Sequence, residues 1–223
     1  MIVIVDYGMG NLRSVQKAFE RIGRAASVSD RPEAVASAER LVVPGVGAFG
    51  DAMAALRWRN LVEPIREFCA RGRPFLGICL GLQVLFDESE EMPRGCAAPG
   101  AGAPAAPAGP LEKGLGLVRG RVVRFGPQVV QQGLKVPHMG WNAVEVVRPS
   151  PLFHGMPKEG VYFYFAHSYY AAPADKAVMA GRTDYGGPFA SSIASGNILA
   201  TQFHPEKSQA VGLAMLENFV TRT

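Results

Sequence analysis

The chain has 223 residues, 48% hydrophobic and 19% charged, enough apolar side chain to bury one full core and most simply a single domain spanning 1–223. Its net charge of +4 comes from scattered basic residues with no Lys/Arg cluster, which argues against a nucleic-acid partner. The opening Ile2-Val3-Ile4-Val5 is ended by Asp6, no apolar run reaches membrane-spanning length, and no basic region of a signal peptide precedes it; with three cysteines, an odd number, there is no disulfide framework, so no membrane association and a cytoplasmic location are expected.

Ile2 to Val5 reads as a short buried strand. Asn11 is a good N-cap, and Leu12, Val15, Phe19 and Ile22 recur after it at helical spacing. Between them, Gly8-Met9-Gly10 lacks the third glycine of a dinucleotide loop and reads as a turn needing a permissive backbone. Further strands are expected at 25–28, 41–43 and 74–78, with helical stretches around 32–38 and 51–71. That βαβα order implies a parallel sheet covered on both faces.

The segment Arg73-Pro74-Phe75-Leu76-Gly77-Ile78-Cys79-Leu80-Gly81-Leu82-Gln83-Val84-Leu85-Phe86 is an apolar run, a cysteine flanked at two residues' distance by glycines, and a second apolar run. It reads as strand, sharp turn and helix, the thiol counterpart of a nucleophile elbow, in which small flanking residues let strand and helix pass. Cys79 then stands at a helix amino terminus, where unpaired N–H groups and the dipole favour thiolate, and the Leu80 N–H points where an oxyanion would form. A lone free cysteine often behaves as a small buried hydrophobe, but the two flanking glycines, the strand before and the helix after favour the nucleophile reading here. Cys69, on a helix before Arg71-Gly72, reads as packing.

Residues 93–110, rich in Ala, Gly and Pro, cannot bury enough side chain to offset their ordering entropy and are expected to form a mobile surface loop, with Cys96 incidental. Beyond residue 114, short strands are expected at 121–125, 143–147, 161–166, 177–181 and 190–195, extending the sheet with antiparallel neighbours. Another strand from Ile198 is stopped by Pro205, placing His204 at a strand end, where open parallel sheets bind ligands. Glu206 lies two residues on and can fix the imidazole tautomer; the alternative is a satisfied surface histidine. A last helix from about Gln209 turns Leu213, Leu216 and Phe219 or Val220 inward.

GICLGLQ at 77–83, QFHPEKS at 202–208 and PGVGAFGDAM at 44–53 together resemble the class I, triad-type glutamine amidotransferases. DYGMGNLRSV at 6–15, VPHMGWN at 136–142 and YFAHSYY at 164–170 narrow the resemblance to the glutaminase subunits of imidazole glycerol phosphate synthases, enzymes of histidine biosynthesis. These six segments, in family order, cover nearly the whole chain. The resemblance implies a flavodoxin-like α/β fold with a mostly parallel central sheet, flanking helices and added antiparallel strands. It implies a Cys79-His204-Glu206 triad that hydrolyses glutamine to glutamate and ammonia, with oxyanion donors from Leu80 and from the 44–47 strand at Val46 and Gly47.

By the same resemblance, Gly47, Gln83, Glu91, Ser168 and Tyr169 line the glutamine pocket, and neither cofactor nor metal is required. It further implies a (β/α)8-barrel cyclase subunit in a heterodimer, receiving ammonia through an internal route. Met139, Trp141, Tyr164 and Lys207 would form the docking face, with the 8–10 loop on the same side. Family members join the flanks of 93–110 more directly, so this tract is expected as an insertion facing solvent. A stand-alone cysteine hydrolase and a non-catalytic interaction subunit are the competing readings. The glutaminases that feed anthranilate or guanylate synthesis often carry histidine where this chain has Leu82.

Overall fold

The computed structural model describes residues 1–91 and 111–223. The tract at 93–110, with the loop expected there and Cys96, lies outside the described residues. In the first half, sequence and structure agree on alternation: β1 (Ile2–Val5), α1 (Leu12–Arg21), β2 (Ala26–Ser29), α2 (Pro32–Ser37), β3 (Arg40–Gly45), α3 (Phe49–Trp58), α4 (Val62–Ala70) and β4 (Phe75–Cys79), followed by the short α5 (Leu80–Gln83). Asn11 caps α1, its side-chain oxygen accepting from the Ser14 N–H at 3.3 Å. All four residues of β1 are buried, Val3 and Val5 in the core on one face and Ile2 and Ile4 in the core on the other. That is the signature of a parallel strand covered on both sides.

The single helical stretch expected over 51–71 is two helices. Asn60 adopts φ 54, a left-handed conformation that ends α3, and Leu61 leads into α4. The helix expected through the second apolar run after Cys79 is only α5, because the next carbonyls are claimed by a passing segment. Leu115 N–H donates to the Val84 carbonyl at 2.7 Å, and Leu117 and Val118 N–H both donate to that of Leu85. The chain instead continues into β5 (Phe86–Ser89).

The second half comprises β6 (Glu112–Lys113), β7 (Val118–Arg124), α6 (Pro127–Gln131), β8 (His138–Val146), β9 (Val161–His167), β10 (Tyr169–Pro173), β11 (Met179–Asp184), β12 (Pro188–Ser195), β13 (Ile198–Thr201) and α7 (Gln209–Thr221). The strand expected at 177–181 begins later, since Lys176–Val178 is a turn of 3-10 helix capped by Asp175. The strand expected at 143–147 begins five residues sooner. In α7, Met215 joins Leu216 and Phe219 as a buried residue, while Leu213 and Val220 are only partly covered.

Among the described residues the strands form one sheet in the order β2-β1-β3-β4-β13-β12-β10-β7-β5-β6, with β11, β8 and β9 branching from β12. The run from β2 through β13 is parallel, and β12 pairs antiparallel with β13. Consequently β13, last in sequence, lies beside β4, and whatever follows it emerges next to Cys79. At the far edge, β5 and β6 pair with Ser89 opposite Glu112, and Arg57 of α3 binds the Glu112 carboxylate and the Lys113 carbonyl, each at 2.8 Å.

Candidate active site

Cys79 ends β4 at φ 54 and ψ −105, a backbone conformation that costs a non-glycine residue of order 1–3 kcal/mol and persists only when its surroundings enforce it. The surroundings are tight. A Cβ on Gly81 would stand 1.7 Å from the Val43 carbonyl oxygen, and one on Gly77 would stand 2.5 Å from that of Gly81. Both flanking glycines are therefore steric requirements of the elbow. Leu80 is the first residue of α5, so its N–H has no intrahelical partner.

His204 follows β13 and is 2% exposed. Its ring Nδ1 lies 2.8 Å from Glu206 Oε1, and the Glu206 side chain is equally buried. The backbone around it is laced to β9: His204 N–H donates to the Tyr164 carbonyl at 2.9 Å, Tyr164 N–H to Ser208 Oγ at 3.0 Å, and Ser208 Oγ to the His204 carbonyl at 2.6 Å. Burial opposes a charged imidazole, but the negative charges of Cys79 and Glu206 outweigh it and push the His204 pKa up to about 10. Its Nε2 is buried and makes no hydrogen bond among the described residues.

Beside Cys79 opens a cavity of about 260 Å³, smaller than the roughly 300–1,000 Å³ of sites for drug-sized ligands and suited to an amino acid. Val46, Gly47 and Leu80 line it, as do Gln83, Glu91, Ser168 and Tyr169, so every residue expected in the oxyanion and glutamine sites borders one space with Cys79. His204 and Glu206 are buried outside that lining. Glu91 Oε2 accepts from the Phe49 N–H at 2.9 Å, a carboxylate at the amino terminus of α3. Gln83 donates both amide hydrogens internally, to the Tyr169 carbonyl at 2.8 Å and to Gln202 Oε1 at 3.2 Å.

Gln202 is a site neighbour that sequence reasoning passed over. Its Nε2 lies 3.6 Å from Cys79 Sγ and its side chain is fully buried, although it sits in the QFHPEKS segment already singled out. His167 also lines the cavity. Tyr7 was missed too: it is fully buried, and its hydroxyl donates to the Pro44 carbonyl at 2.7 Å, with burial and the Cys79 charge raising its pKa. Cys69 is buried, and burial pushes its thiol up to about 12, as suits a packing residue.

The residues expected at a docking face cluster on one side of the β8–β9 ribbon. Trp141 is the register partner of Tyr164, their rings meeting edge to face at 6.3 Å, and Lys207 Nζ stands 5.8 Å above the Tyr164 ring. Met139 is 64% exposed and also borders the cavity. Tyr162, two residues before Tyr164 and 55% exposed, extends the same face and carried no sequence signal.

Residues 3–223 match the family described as glutamine amidotransferase class-I. Over 221 residues the chain is 52% identical to the imidazole glycerol phosphate synthase subunit HisH of Syntrophotalea carbinolica, covering 98% of each chain. It is 49% identical to the protein of the same name from Rhodopirellula baltica, covering 99% of this chain and 97% of that one. Among solved structures it superposes on PurLQS from Thermotoga maritima with a TM-score of 0.70 at 18% identity, over 99% of this chain and 97% of the other. A crystal structure titled glutamine amidotransferase gives 0.69 at 20% identity, over 99% and 100%. These structural likenesses agree on the α/β fold, and with the match over nearly its full length the chain belongs to the class-I glutamine amidotransferases.

Proposed function

We propose that this chain is the glutaminase subunit of an imidazole glycerol phosphate synthase, hydrolysing glutamine at Cys79 and delivering ammonia to a (β/α)8-barrel cyclase subunit in the cytoplasm. The observation that carries the reading is a strained cysteine at the end of β4 bordering an amino-acid-sized cavity, with a buried His204–Glu206 pair just beyond the end of the neighbouring strand β13. The names of its relatives, at about half identity over nearly the full length, support the particular synthase. No helix among the described residues is long and apolar enough to cross a membrane.

In this reading the Cys79 thiolate attacks the side-chain carboxamide carbon of glutamine, and its oxygen takes the negative charge. Donors at Leu80 and at Val46 or Gly47 hold that oxyanion. The His204 imidazolium gives its proton to the departing nitrogen, releasing ammonia and leaving a thioester on Cys79. Neutral His204 then takes a proton from water, whose oxygen attacks the thioester, and glutamate leaves as the thiolate returns. Glu206 holds the Nδ1–H tautomer throughout. Met139, Trp141, Tyr164 and Lys207 form the docking face, aromatic and methionine anchors beside a charged rim.

The test is glutamate release from the chain alone, with the cognate cyclase subunit, and with that subunit and its nucleotide ligand. Release that depends on Cys79, and formation of the synthase product from glutamine in the pair, is the expected result. Glutaminase activity without any product in the pair would move the chain to another amidotransferase or to a stand-alone hydrolase.

A further inference from the structure

Two buried histidines lie outside the triad. His138 on β8 and His167 on β9 are register partners, 2% and 6% exposed, with His138 Nδ1 3.0 Å from His167 Nε2. His167 Nδ1 lies 2.9 Å from the Tyr169 carbonyl, which can only accept, so that nitrogen carries the hydrogen. Its Nε2 must then accept, which places a hydrogen on His138 Nδ1. The remaining nitrogen, His138 Nε2, accepts from Asn142 Nδ2 at 3.3 Å. Every proton is fixed in one sense, and neither ring has room for a second. Burial holds both neutral, pushing His138 down to about 4 and His167 to about 3.

The rings are also clamped. His138 is stacked between Phe165, at 4.7 Å between centroids, and Tyr185, at 3.9 Å, while Phe125 packs on His167 at 5.3 Å. The Tyr169 carbonyl on which the chain of bonds ends is the one Gln83 also binds, and Gln83 leads through Gln202 to Cys79 Sγ. Ser168 and Tyr169, the residues leading up to that carbonyl, line the cavity.

We propose that His138 and His167 form a fixed-tautomer pair that positions the Ser168–Tyr169 wall of the glutamine pocket through the Tyr169 carbonyl, without itself exchanging protons with substrate. The proposal rests on the glutaminase reading of the cavity. His167 and His138 are positioning residues, and their effect belongs to substrate binding.

Amide side chains separate this from a packing role, since an asparagine nitrogen can stand in for Nδ1 and a glutamine head for Nε2. In the complex with the cyclase subunit, His167→Gln should raise the KM for glutamine roughly tenfold, the size of one lost hydrogen bond to a buried carbonyl, with kcat changed less than about threefold. His167→Asn should keep KM within about threefold. Equal behaviour of the two variants, or an effect on kcat alone, overturns the proposal. His138→Leu, which leaves His167 intact but frees its tautomer, should resemble His167→Gln; wild-type KM there also overturns it.

Nitrogen-15 shifts of the labelled rings in the wild-type complex give a readout independent of any variant's folding. Neutral Nδ1–H tautomers at both residues at pH 7 are expected; an Nε2–H tautomer or an imidazolium at His167 sinks the idea. Absence of glutamate release from the wild-type complex would instead bring down the glutaminase reading itself. Co-elution of each variant with the cyclase subunit on gel filtration checks that the subunits remain docked.

Discussion

Gly45 and Cys79 are register partners across the parallel strands β3 and β4, so the proposed nucleophile and the start of the proposed oxyanion segment are held by one ladder. The fit is close on the other side as well: a Cβ on Gly45 would stand 2.1 Å from the Tyr7 hydroxyl and 2.8 Å from Leu80 Cβ. Tyr7, Gly45 and Leu80 thus set where the 44–47 segment lies against the elbow.

Replacing Cys79 with alanine is expected to abolish glutamine hydrolysis while the complex still forms and uses supplied ammonium salts. Residual glutamate release, with a glutamine-analogue alkylator labelling Cys69 or Cys96 instead, would falsify the assignment of the nucleophile.

Glu206→Gln presents an amide that can donate to His204 Nδ1 and so favours the wrong tautomer. A drop in kcat of up to about 10⁴-fold is expected, with little change in KM. The carboxylate also helps hold the imidazolium, so the His204 pKa should fall, as read by its ring proton shifts against pH. An unchanged kcat would remove Glu206 from the triad.

Gly81→Ala should be the most damaging substitution of a small residue in the elbow. The added methyl group would collide with the Val43 backbone, which cannot give way as a flexible side chain can. Loss of more than about 4 kcal/mol, or failure to fold, is expected from urea unfolding. Tyr7→Phe, by contrast, only unpairs the buried Pro44 carbonyl and should cost about 1–3 kcal/mol.

Acid should destabilise the fold through His138 and His167. Their folded pKa values, about 4 and about 3, lie below the roughly 6.5 of an unfolded histidine. Between those values the unfolded chain binds protons that the fold refuses, so stability falls as pH drops from about 6.5, by about 1.4 kcal/mol per pH unit for each histidine. His204 acts in another window: its raised pKa adds stability that is full below about 6.5 and is lost as pH rises towards 10. Urea midpoints at pH 7, 6 and 5 test the first effect, and His138→Phe should flatten the slope.

What could be read from the sequence was what local sterics encode. Gly77-x-Cys79-x-Gly81 forces the elbow, Pro205 halts the chain after His204, and Asn11 caps α1. The break at Asn60 was hidden because apolar spacing continues through it, whereas the turn depends on one residue's left-handed backbone. Strands β5 and β10 were missed for another reason: their pairing partners lie far along the chain, and Phe86–Ser89 pairs with Glu112–Lys113 and Val118–Arg124. The His138–His167 pair, 29 residues apart, exists only through strand register, and the bond from Gln202 to Cys79 spans 123 residues. Residue types pointed to Cys79, His204 and Glu206; the hydrogen bonds around them became visible only once the strands were placed.

The β5–β6 ladder has a practical consequence. Ser89 and Glu112 face each other, Lys113 reaches Glu88 at 2.8 Å, and Arg57 fastens the returning strand to α3. The flanks at Ser89 and Glu112 are thereby fastened to each other within the sheet, and doubling the length of a flexible connection costs only about 0.6 kcal/mol. A fluorescent dye attached between Glu91 and Leu111 would start beside Glu91, on the rim of the cavity, and would report the arrival of glutamine by its change in fluorescence.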